Sequence, residues 1–78
     1  MPVDQIFGEV LRDARLKDQL TQEVLAELAG LHRNTVSRIE RGVYSPTVSS
    51  LFALARALRI QPDELIRETQ ERQGISRE

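Results

Sequence analysis

Between residues 21 and 42 the chain reads TQEVLAELAGLHRNTVSRIERG, and the placement of small residues there leaves few ways to fold. Counting from Gln22, Ala26 stands at the fifth position, Gly30 at the ninth and the β-branched Val36 at the fifteenth. Apolar periodicity on either side of Gly30 predicts two short helices joined by a tight turn. Helices that cross steeply at close range need these residue types. Ala26 lacks the bulk to hold a second helix away. Gly30 can take φ > 0 at the turn, which most residues avoid. Val36 fills the crotch between the two helices.

This spacing is that of a helix-turn-helix, whose second helix can be presented to a DNA major groove. Stepping along that second helix, residues 32–41, by about 100° per residue sorts it into two sides. His32, Val36, Ile39 and Glu40 gather on one; Arg33, Asn34, Ser37, Arg38 and Arg41 gather on the other. The outer side is wholly polar, with three arginines and no carboxylate. Arg suits guanine edges and phosphates, Asn suits adenine, and Ser is small enough for close approach. The N-terminal residues of such a helix enter the groove, while its C-terminal end and the following loop lie by the backbone. Arg33, Asn34, Ser37 and Arg38 are therefore the expected base readers. His32, Thr35, Arg41, Tyr44 and Ser45 are expected at the phosphates.

The net charge of −1 speaks against nucleic acid until it is divided along the chain. Residues 1–31 carry three basic and six acidic side chains, residues 32–59 five and one, and residues 60–78 three and five. Positive charge is concentrated in the second helix of the motif, the loop after it and the next helix. A local patch matters more to phosphate binding than the total. Ten of the eleven basic residues are Arg, which makes bidentate contacts that Lys cannot.

Around the motif the chain predicts three more helices and no strand. Residues 4 to about 18 form the first, with Asp4 as its cap, Val3 packing beneath, and Phe7, Val10, Leu11 and Ala14 as its apolar stripe. Leu16 falls off that stripe. Arg15 lies beside it, and Glu40 borders the inner side of the motif's second helix. Thr21 caps the motif's first helix and Gly42 ends the second. Thr47 with Ser50 caps a fourth helix, residues 48–59, whose Val48, Leu51, Leu54, Ala55 and Leu58 face the core. Pro62 opens a fifth, with Asp63 and Glu64 in its first turn. Leu65 and Ile66 are adjacent and cannot both point into one small core. The domain is expected over residues 1–68, followed by a polar tail, 69–78, that extends the fifth helix or is disordered.

The chain resembles the helix-turn-helix family of phage repressors and xenobiotic-response-element-type regulators. The matching residues are Arg15, Leu20-Thr21-Gln22, Leu25-Ala26, Ala29-Gly30, Val36, Ile39-Glu40-Arg41-Gly42, Pro46, Leu51, Ala55, Leu58 and Leu65. They span roughly residues 5 to 66. His32 departs from the Ser or Thr cap common in the family, and Tyr44 stands where the family varies. The resemblance implies a compact all-α, five-helix, lambda-repressor-like bundle. It also implies that Arg15 pairs with Glu40 as a structural ion pair. It places Gln22 by the DNA backbone, bridging to the recognition helix. The small size resembles restriction–modification controllers and minimal repressors.

A single short helix reads too few base pairs to find a site in a genome, so a homodimer on a two-fold symmetric operator is expected. Phe52, Leu65 and Ile66 supply candidate interface residues. Catalysis finds little support: His32 is the only His, the carboxylates are scattered, and His32 and Ser37 lie on different sides of their helix. No metal, cofactor or small-molecule ligand is expected. No membrane span or signal peptide is read, and the absence of cysteine fits a cytoplasmic location. The competing reading is a helical protein-interaction module, or an antitoxin-type regulator whose main role is binding a partner protein.

Overall fold

In the computed structural model, which describes residues 2–74, five helices succeed one another: α1 (Val3–Lys17), α2 (Gln22–Ala29), α3 (Arg33–Glu40), α4 (Val48–Ala57) and α5 (Pro62–Gln73). No strand occurs among the described residues. One apolar core joins all five helices. Phe7, Val10 and Leu11 enter it from α1, Leu25 and Ala26 from α2, Val36 and Ile39 from α3, Leu54 and Ala55 from α4, and Leu65 from α5. Leu58 closes the core from the end of α4. The fold is the expected all-α bundle of five helices.

The motif's turn is built as its residues require. Thr21 Oγ1 accepts from the Val24 amide at 3.1 Å and starts α2. Gly30 ends it at φ 70°, ψ 31°, and the Leu31 amide donates back to the Ala26 carbonyl at 2.8 Å. Ala26 is 2% exposed and Val36 is fully buried. At α4, Thr47 Oγ1 accepts from the Ser50 amide at 3.0 Å. At α5, the Gln61 amide donates to the Glu64 carboxylate at 2.9 Å, which holds Pro62 in the first turn.

Five residues lie otherwise than the sequence predicts. Asp4 does not cap α1: the helix begins one residue earlier behind an extended Pro2, so Asp4 sits inside the first turn, and Val3 is half exposed rather than tucked beneath. Val48, at the first position of α4, shares the core side of that helix by its angle, yet is 72% exposed. Leu65 is 2% exposed and is consumed by the core, so it is not available to a partner, unlike its neighbour Ile66. His32 does not join Val36 and Ile39 on the inner side: its backbone is extended (φ −74°, ψ 144°), which takes it off the helical projection and leaves it exposed.

Helix α5 crosses residue 68 without a break and continues to Gln73, where Gly74 ends it at φ 65°. Thr69 is buried and its hydroxyl donates to the Leu65 carbonyl at 2.7 Å. Arg72 reaches Asp13 of α1 at 2.8 Å and Glu68 at 3.0 Å, which ties the end of α5 to α1. Residues 75–78 of the expected tail lie outside the described residues.

Candidate nucleic-acid interface

Helix α3 is short, and its position is set by two tethers to α1. Near its C-terminal end it lies against α1 at Gly8. A Cβ there would fall 2.5 Å from the carbonyl oxygens of both Ile39 and Glu40, so only glycine permits the approach. Glycine costs a helix interior about 1 kcal/mol relative to Ala. Gly8, placed among the apolar residues of α1, is therefore a readable signal of close contact, one that the periodicity of apolar residues does not reveal.

The second tether is electrostatic. Arg15 Nε donates to Glu40 Oε2 at 2.6 Å, and Nη2 donates to Oε1 at 3.0 Å. Arg15 Nη1 donates to the Leu20 carbonyl at 2.8 Å, and the Gln22 side-chain amide donates to Glu40 Oε1 at 3.0 Å. Arg15 and Glu40 are each 8% exposed. No buried side-chain polar atom among the described residues lacks a partner. The hydrogen bond to Glu40 raises the Arg15 pKa above its ordinary value, burial works against that rise, and the charge of the carboxylate adds to it. The pair fixes α3 to α1, and Gln22 ties the start of α2 to the same carboxylate.

This network leaves the opposite side of α3 basic. Its only carboxylate, Glu40, is turned inward. Arg33, Asn34 and Arg38 are exposed on the outer face, and Ser37 lies half-buried beside them. Thr35 is half-buried at the flank, and His32 is exposed at the start of the helix. Arg41 comes just after the last turn, its Nε 3.4 Å from the Ser37 carbonyl. Gly42, at φ 77°, bends the chain back. Its amide donates to the Ile39 carbonyl and the Val43 amide to the Arg38 carbonyl, each at 3.0 Å. Tyr44 and Ser45 thereby come to the same end of the helix, and the Arg38 guanidinium lies 5.4 Å from the centre of the Tyr44 ring. Gln22 stands apart from the other backbone candidates because its amide is already engaged with Glu40.

Residues 11–65 match the family described as Helix-turn-helix. The chain belongs to that family. It is a DNA-binding regulator of transcription. It is similar to the control protein C.SmaI of Serratia marcescens, with 37% identity over 78 residues, covering 100% of this chain and 88% of that protein. It is 41% identical over 61 residues to the immunity repressor of Bacillus phage phi105, a match that spans 78% of this chain and 42% of the repressor. Among solved structures it resembles the restriction–modification controller protein C.AhdI of Aeromonas hydrophila, with a TM-score of 0.79 and 42% identity over 80% of this chain and 94% of that one.

Proposed function

We propose that the protein binds a two-fold symmetric duplex operator as a homodimer, with α3 of each copy in the major groove. The observation that carries this reading is the polarity of α3. Its one carboxylate is turned inward onto Arg15, and its outer face presents Arg33, Asn34, Ser37 and Arg38 free of any acid. In the groove these four side chains meet base edges. His32, Thr35, Arg41, Tyr44 and Ser45 lie around them at the level of the phosphates, with Gln22 at the N-terminal edge of α2.

The dimer contact is assigned to Phe52 and Ile66, 54% and 48% exposed, with the exposed Val48 lying near both. An exposed cluster of large apolar side chains is what an interface between copies requires. Similarity to C.SmaI over the full chain and to C.AhdI supports a controller of restriction–modification genes, acting in the cytoplasm.

The test is selection of bound duplexes from a random pool, with affinity then measured as salt is raised. A two-fold symmetric consensus, with affinity falling steeply as salt increases, is the expected result. Binding of no duplex at low salt would instead favour the protein-interaction module.

A further inference from the structure

Arg38 is a long side chain on the readout face, and no carboxylate among the described residues holds it. An unheld arginine spreads over many rotamers, and most of them must be given up when a base is bound. Its guanidinium lies 5.4 Å from the centre of the Tyr44 ring, within the range of a cation–π contact.

The backbone that carries that ring is itself held in place. It sits six residues further on, yet it returns to Arg38 because Gly42 turns left-handed and the Val43 amide closes onto the carbonyl of Arg38 itself. Gly42 has no room for a side chain, since a Cβ there would lie 2.8 Å from Gln5 Cα on α1. The loop that carries Tyr44 is thus clamped between α1 and the end of α3.

We infer that Tyr44 is a positioning residue for sequence readout: its ring holds the Arg38 guanidinium toward the groove before DNA arrives. This rests on the major-groove reading of α3, and it gives Tyr44 a role different from a phosphate contact through its hydroxyl. The two roles separate cleanly. A phosphate contact needs the hydroxyl and acts on every sequence alike. A positioning ring needs only its π-face and acts at the base pair that Arg38 reads.

The experiment uses the full chain and its own selected consensus duplex. Discrimination is the affinity ratio between the consensus and a duplex changed at the one base pair that Arg38→Ala relaxes. Tyr44→Phe keeps the ring and is expected to keep the wild-type ratio. Tyr44→Leu keeps apolar bulk without the π-face and is expected to lower the ratio about two- to fivefold, the size of an exposed cation–π contact. In the Arg38→Ala background, Tyr44→Leu should change the ratio no further. In the free protein, the Arg38 δ-methylene protons should be shifted upfield by the ring in the wild type and in Tyr44→Phe, and lose that shift in Tyr44→Leu. Three results would overturn the inference: no ring-current shift in the wild type, a Tyr44→Leu variant with the wild-type ratio, or equal losses on all sequences from both variants. A wild type that selects no sequence at all would remove the major-groove reading and this inference with it.

Discussion

Replacing Glu40 with Ala should remove a large share of this protein's stability, although Glu40 contributes no apolar surface to the core. The carboxylate accepts two hydrogen bonds from Arg15 and a third from Gln22, and the ion pair is 8% exposed at each residue. Without it, Arg15 keeps only the Leu20 carbonyl and remains buried as an unpaired cation. Breaking one side of a buried pair costs about 3–5 kcal/mol. A domain of this length has a total stability of roughly 4–12 kcal/mol, from about 0.05–0.15 kcal/mol per residue. At about 4–8 °C per kcal/mol, the melting temperature should fall by at least ~12 °C. Exchanging both partners for apolar residues of similar volume, Arg15→Met with Glu40→Leu, should recover most of the loss, since such replacements are often neutral or stabilising. The assay is a double-mutant cycle by thermal and urea unfolding, monitored by circular dichroism. A coupling energy indistinguishable from zero, or a Glu40→Ala cost below about 1 kcal/mol as for an exposed pair, would refute the reasoning.

Gly8→Ala should destabilise by about 1–3 kcal/mol or more, because the added methyl meets two backbone carbonyls at 2.5 Å and α3 must move away; urea melting checks it. Ile66→Glu should leave helicity unchanged and sediment as a monomer at micromolar concentration, where the wild type should sediment as a dimer. Arg38→Ala should cost about 1–3 kcal/mol on the consensus and relax one base pair per half-site, while Arg41→Ala weakens all duplexes alike; fluorescence anisotropy on matched and mismatched duplexes distinguishes them. Asp13→Ala should cost under about 1 kcal/mol in thermal melts, and the cost should shrink in high salt, because its partner Arg72 is also held by Glu68 and the pair faces solvent.

Much of this protein is determined locally and can be read without a structure. The order of the helices, the caps at Thr21 and Thr47, the left-handed Gly30 and the small Ala26 depend on residues within a turn or two of each other. The division of α3 into an apolar and a basic side comes from helical period alone. The meeting of Arg15 and Glu40 is implied by family resemblance, and two charges beside inward faces are the only local trace of it.

Tertiary structure decided the rest. Periodicity gives the angle of a side chain about its own helix, but not how far the neighbouring helix extends or how closely it approaches. Val48 therefore has a core angle yet stays exposed, while Gly8 marks a contact with α3 that no stripe on α1 describes. Thr69 and Arg72 look like a polar tail in sequence, yet they lie on α5 where it runs beside α1. Tyr44 looks like one variable loop residue, and its ring meets Arg38 only because Gly42 is folded left-handed against Gln5. Each of these depends on where one element's axis lies relative to another's, and that is settled only when the whole core closes.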